Sequence, residues 1–188
     1  LDFLKQLLPK YPLPVILVSS LNLRVFDALS AGAVDFVRKP DSSQSNDVFI
    51  NNLTQKVISA AGAKVRQAPP SSITKAAPVA PLGARPNLDN VIIALGASTG
   101  GTEATLEVLK RLPADIPGML IVQHMPTGFT QMYAERLNRL CQMEVREAKN
   151  GDEVRRGLAL LAPADFQMRV VRMGAKYTVS CLPGEKVS

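Results

Sequence analysis

A serine flanked by small residues, in Gly96-Ala97-Ser98-Thr99-Gly100-Gly101, follows an apolar run and opens a helical pattern. The spacing Gly96-x-Ser98-x-Gly100 satisfies the nucleophile-elbow pattern, in which small neighbours let a sharp turn present a serine hydroxyl. A helix that starts directly behind the turn points unpaired backbone N–H groups toward that hydroxyl, and such donors can stabilise an oxyanion. The same residues also fit a plain strand-to-helix turn whose glycines serve tight packing. A dinucleotide-binding fingerprint fails because Ser98 stands where a glycine is needed, and a phosphate-binding P-loop fails for want of Gly-Lys-Ser/Thr.

The chain's single histidine, His124, ends the next apolar run, in Gln123-His124-Met125-Pro126. Ligands of open α/β sheets gather at the carboxyl ends of strands. Ser98 and His124 each follow such an end, so both side chains are expected at one sheet edge. By itself a histidine in this position reads as structural. Beside a candidate nucleophile it reads as the general base, taking the serine proton and returning it to the leaving group. The acid that would orient the imidazole stays open. Asp115, Asp152 and Asp165 are near in sequence, the first two in turns that read as solvated, and none can be assigned.

The elements that must position these groups follow from periodicity. Leu1, Leu4, Leu7 and Leu8 recur at helical spacing until Pro12 and Pro14. Val15-Ile16-Leu17-Val18 reads as a buried strand, Leu21 to Ala31 as a helix stopped by Gly32, Ala33 to Val37 as a strand, and Val48 to Ala61 as a helix with Val48, Leu53, Val57 and Ala60 near one face. Residues 65–89 are rich in Pro, Ala and Ser, too poor in large apolar groups to offset the entropy of ordering, and read as a linker. Beyond it come a buried strand from Val91 to Ala97, a helix from Thr102 to Leu112 with Thr105, Val108, Leu109 and Leu112 on one face, and a strand from Met119 to Val122. A helix marked by Phe129, Met132, Tyr133, Leu137 and Leu140 follows. Short strands over Leu158 to Leu161, Gln167 to Arg172 and Lys176 to Cys181 end the chain, the last two joined as a hairpin at Gly174. Strands alternating with helices predict parallel α/β sheets on both sides of the linker.

Composition narrows the class. The chain is 46% hydrophobic and 20% charged with a net charge of +6, and its basic residues are scattered rather than massed on one face, which argues against nucleic acid as a partner. No apolar run is long enough to cross a bilayer and no leader pattern opens the chain. Cys141 and Cys181 match no metal or disulfide spacing and read as reduced thiols of a cytoplasmic protein. Leu1 already sits inside a helical pattern and Ser188 follows Pro183-Gly184, so the expectation is a piece cut at both ends from a longer protein.

Longer runs carry a resemblance. Ile92 through Ala104, then Val122-Gln123-His124-Met125-Pro126-Thr127-Gly128-Phe129-Thr130, then Tyr133 through Asn138, resemble the catalytic region of chemotaxis response regulator protein-glutamate methylesterases. Glu147-Ala148, Asn150-Gly151-Asp152 and Leu161-Ala162-Pro163-Ala164-Asp165 continue the likeness in order. Leu13 through Leu21 and Ala31 through Pro40 resemble the fourth and fifth strands of that family's phosphorylation receiver domain. The resemblance implies the C-terminal half of a flavodoxin-like receiver over 1–64, a linker over 65–89, and over 90–188 part of a doubly wound parallel-sheet esterase domain with a β-hairpin.

The resemblance also implies the chemistry: hydrolysis of glutamyl methyl esters on methyl-accepting chemotaxis receptors, and deamidation of receptor glutamines. Ser98 would be the nucleophile and His124 the base, with Thr99, Gly100 and Gly101 supplying oxyanion donors and positioning. Ser19 would bond the phosphoryl group of the receiver and Lys39 would pair with it, a histidine kinase being the phosphodonor. The ester step needs no cofactor or metal; receiver phosphorylation needs a divalent cation, expected to be Mg²⁺. The family's phosphoacceptor and metal-binding acids precede Leu1 in this alignment of motifs, and its catalytic aspartate and a glycine-rich oxyanion stretch follow Ser188. The 188-residue chain by itself is therefore expected to be inactive. The family often carries a histidine near Gln167; without it, His124 is the sole candidate base. The alternative is a receiver-output adaptor that binds partners without catalysis. An unrelated α/β-hydrolase is disfavoured, because that fold places its histidine after the acid.

Overall fold

The computed structural model describes residues 1–20, 24–40, 45–62, 88 and 91–184. Nearly all of the expected linker, 65–89, and the start of the expected helix at Leu21 lie outside them. Compactness divides the chain into two units, residues 1–73 with 99–103 and residues 74–98 with 104–188.

The first unit runs α1 (Asp2–Leu7), β1 (Ile16–Ser19), α2 (Val25–Ser30), β2 (Asp35–Arg38) and α3 (Asn46–Ala61). β1 and β2 pair in parallel, from Ile16↔Asp35 to Ser19↔Arg38. The parallel pairing predicted from strand–helix alternation is present, but β1 is half-buried at every position rather than buried. Its only partner strand among the described residues is β2. The second strand begins two residues later than its apolar run suggested, and its first residue, Asp35, is buried. Ser45 caps α3 by accepting the Asp47 N–H at 3.2 Å, and Asp47 complements the positive helix end. The inward face of α3 is set by Lys56 and Ala60; Val48 and Val57, expected inside, are exposed. Lys56 is inside because its ammonium meets the Asp35 carboxylate at 2.9 Å and lies over the Phe36 ring.

The second unit contains β3 (Ile92–Ala97), α4 (Gly101–Leu109) from Ala104 onward, β4 (Gly118–Gln123), α5 (Phe129–Leu140), β5 (Glu144–Glu147), β6 (Leu158–Leu161), β7 (Phe166–Met173) and β8 (Lys176–Pro183). Four strands form one parallel sheet in the order β3-β4-β6-β5. The interior strands are buried as all-apolar strands must be: every residue of β6 and all of β4 except Val122. Among the described residues β3 has β4 as its one partner strand, and Ala94 and Gly96 are exposed where composition suggested a fully buried strand.

β5 has no counterpart in the sequence reading. Glu144, Arg146 and Glu147 masked it, and only Val145 is buried, which is what an edge strand allows. Of the expected stripe α5 buries Phe129, Tyr133 and Leu137, together with Ala134, while Met132 is half-buried and Leu140 exposed. α4 buries Thr102, Thr105, Leu106 and Leu109, with Val108 on the outside. β7 and β8 pair antiparallel and close at Gly174-Ala175. Val179 and Cys181 of β8 join Leu120, Leu158 and Leu160 in one apolar cluster, so the hairpin covers part of one sheet face.

The turn into β6 depends on Gly157, whose φ is +78° and whose added Cβ would lie 2.8 Å from the Ala114 carbonyl oxygen. Gly157→Ala is expected to destabilise the second unit by about 1–3 kcal/mol from the backbone conformation, with the clash adding to it. A thermal midpoint equal to that of the unsubstituted chain would refute this.

Candidate active site

β3 and β4 stay in register from Ile92↔Gly118 to Ala97↔Gln123. Ser98 and His124 are therefore the first residues past one rung, on neighbouring strands about 4.8 Å apart. The His124 N–H donates to the Ala97 carbonyl at 3.2 Å, which carries the ladder one step further. Alternation along a strand places positions 98 and 124 on the face shared by Gly96 and Val122. Ser98, His124, Gly96 and Val122 are all exposed, so this end of the face is open.

Ser98 sits in ordinary backbone. The only non-glycine residue with a positive φ among the described residues is Asp165, at 64°. The tight part of the turn falls at Gly100, with φ 76°, a conformation that favours glycine. Gly96 has ordinary φ and open space over its α-carbon, so neither its backbone nor its neighbours demand a glycine. Thr99 and Gly100 form the turn after β3, and Gly101 is the first residue of α4.

Between the two candidates lies a group that sequence reasoning passed over. Gln123 is 7% exposed, and its Nε2 donates to the Ser98 carbonyl at 3.0 Å and to the His124 carbonyl at 3.3 Å. The loop after His124 is anchored on its far side. The Thr127 hydroxyl donates to the Asp165 carboxylate, and the Thr130 hydroxyl bonds the Glu147 carboxylate and accepts the Ala164 N–H at 3.3 Å. Asp165 tolerates its left-handed φ better than most side chains would.

None of the three acids weighed for the triad bonds His124 among the described residues. Asp165 is engaged by Thr127, Asp115 faces Arg156 at 3.4 Å, and Asp152 is held by Arg146 and by the Lys149 N–H at 2.7 Å. The expectation that Asp152 is merely solvated is corrected: its side chain is 16% exposed and ion-paired. Burial pushes its carboxyl up, but the bonds from Arg146 and Lys149 and their positive charges outweigh this and hold it below the ordinary carboxylate value. A group depressed in the folded state adds stability above its unfolded value, near 3.8, and that stability is lost as pH falls through the folded value. Asp152→Asn should accordingly destabilise the chain at pH 7 and flatten the fall in stability below about pH 4. Chemical denaturation at several pH values checks this, and parallel curves for the two proteins would contradict it.

Both cysteines are free, Cys181 buried and Cys141 partly so, and burial pushes both thiols up. The pair expected to serve a receiver lies in the first unit. Ser19 ends β1 and Lys39 follows β2, with the Lys39 N–H donating to the Ser19 carbonyl at 3.0 Å and the Lys39 side chain exposed. The register pairs Ser19 with Arg38, so Lys39 lies one residue past that rung, at the same carboxyl end of the two strands. Among the described residues no helix is long and apolar enough to cross a membrane.

The family model described as CheB methylesterase matches residues 93–186. A protein-glutamate methylesterase/protein-glutamine glutaminase 2 of Syntrophomonas wolfei is 47% identical over 191 residues, spanning 100% of this chain and 54% of its own length. Its counterpart in Syntrophotalea carbinolica is 45% identical over 194 residues, spanning 99% and 55%. The chain thus spans about half the length of these relatives. The crystal structure of the Thermotoga maritima CheB methylesterase catalytic domain superposes with a TM-score of 0.50 at 34% identity, covering 51% of each chain. The family-model match over 93–186 contains both Ser98 and His124, and with these relatives it shows that the chain belongs to the CheB methylesterase family.

Proposed function

We propose that the gene product is a protein-glutamate methylesterase and protein-glutamine glutaminase acting on methyl-accepting chemotaxis receptors in the cytoplasm. The observation that carries this reading is the placement of an exposed serine and the sole histidine side by side, past the last rung of two paired parallel strands, within the matched family region. Ser98 Oγ attacks the ester carbonyl while His124 takes its proton. The Oγ–carbon bond forms, and on collapse the carbon–methoxy bond breaks, the leaving oxygen taking the proton back from the imidazolium. Water, deprotonated by His124, then attacks the acyl-enzyme and releases a free glutamate side chain and Ser98. Backbone N–H groups of Thr99, Gly100 and Gly101 are the proposed oxyanion donors. Deamidation is the same acyl transfer with ammonia leaving. No metal or cofactor enters the ester step.

The first unit is proposed as part of a phosphorylation receiver, with Ser19 and Lys39 facing the phosphoryl group and a histidine kinase as donor. Its paired strand ends support that reading. The divalent cation expected for phosphorylation finds no matching donor set: among the described residues no three acids, histidines or cysteines cluster. The non-catalytic adaptor has no observation in its favour.

The test is methanol release from methylated receptor membranes by the intact gene product, with a serine-directed phosphonate used to map the nucleophile by mass. Methanol release and an adduct on Ser98 are expected; an active enzyme labelled elsewhere would overturn the assignment.

A further inference from the structure

Gln123 closes β4, and its buried side chain reaches the backbone carbonyls of both candidate catalytic residues. Both atoms it faces, the Ser98 and His124 carbonyl oxygens, can only accept. The amide must therefore present its nitrogen to them. This fixes its orientation and turns Oε1 the other way, where it has no partner among the described residues. A buried acceptor left unpaired is a standing penalty, which a methionine or leucine of similar volume would not incur. Filling space does not account for a glutamine here; two donated hydrogen bonds do.

The place of those bonds matters. The backbone ladder ends with the His124 N–H on the Ala97 carbonyl. Beyond it, one chain turns into α4 and the other into the Met125–Gly128 loop, so the ladder no longer fixes their separation. We infer that Gln123 is a positioning residue for the reaction proposed above: its single buried amide cross-links the Ser98 and His124 carbonyls and sets how far apart, and in which direction, the two side chains leave the sheet. It touches no substrate and acts through the residues it holds. Reacting groups displaced by about 1 Å can lose about 10²-fold in rate.

The experiment compares Gln123→Met, Gln123→Glu and Ser98→Ala in the intact gene product. Gln123→Met keeps volume and loses both bonds; its kcat should fall by about 10²-fold with KM nearly unchanged. Gln123→Glu turns carboxylate oxygens toward two carbonyl oxygens and should fall further. The ¹³C signals of the Ser98 and His124 carbonyls should both move, in Gln123→Met, toward values of carbonyls without a donor. Full kcat with unmoved carbonyl signals would overturn the inference. So would a loss of rate that merely tracks the folded fraction in thermal unfolding. If Ser98→Ala is inactive while Gln123→Met is not, the positioning role falls and the esterase reading stands. If Ser98→Ala stays active while the carbonyl signals move, the esterase reading falls and the cross-link stands.

Discussion

In the intact gene product, on the esterase reading proposed above, Ser98→Ala is expected to cut methanol release from methylated receptor membranes by about 10⁴-fold or more, and His124→Gln by a similar factor. The alanine leaves nothing to form the acyl-enzyme. The glutamine leaves the serine with its proton, and a neutral hydroxyl is a poor nucleophile. Because nucleophile and base act as a unit, the double substitution should cost little more than either alone. Binding of receptor should survive, since neither side chain is buried or helps hold the sheet. Rates are measured under conditions where the unsubstituted enzyme turns over fully, with receptor pull-down in parallel. Activity in Ser98→Ala within tenfold of the parent would remove it from the nucleophile role. A double variant far worse than both singles would mean that the two side chains work independently.

Lys56→Met should cost about 3–5 kcal/mol in the first unit, whereas Lys56→Met with Asp35→Leu should be close to neutral. The ammonium and carboxylate lie 2.9 Å apart with side-chain exposures of 6% and 8%. Removing the lysine strands a carboxylate in the core with, among the described residues, only the Phe36 N–H, at 2.7 Å, to satisfy it. Removing both partners takes the desolvation penalty away along with the attraction. Hydrogen exchange over 35–38 and 46–61 reads the difference without assuming that the two units unfold together. Unchanged protection in Lys56→Met would show that water reaches the pair.

The strand ends that carry Ser98 and His124 were legible because interior parallel strands are apolar runs and their carboxyl ends are marked by glycine, proline and polar residues. The stripe of Phe129, Tyr133 and Leu137 was legible because its period is that of a helix. Both signals are local. Strand order is not, and β5 shows the consequence: its charged residues are those of a sheet edge, but nothing local says that it pairs with β6 rather than β4. The half-exposure of β3 has the same origin, since an apolar run does not reveal how many neighbours it will receive.

The candidate site divides in the same way. Residue type and spacing singled out Ser98, His124 and the glycine turn, because a nucleophile, a base and a conformationally permissive residue are chemical identities written in one position each. Tertiary structure alone decided what surrounds them. Gln123, just past the strand read over Met119 to Val122, had no role of its own until the β3–β4 register brought the Ser98 and His124 carbonyls to its amide. Sequence left Asp115, Asp152 and Asp165 unassigned; in the structure Thr127 and Arg146 occupy the carboxylates of Asp165 and Asp152. Nothing local marks Lys56 for burial; Asp35, from the preceding strand, is what pairs with it in the core. Ser98 and Thr127 stand 25 and 38 residues from the side chains they meet, so these contacts exist only once the fold has brought the segments together.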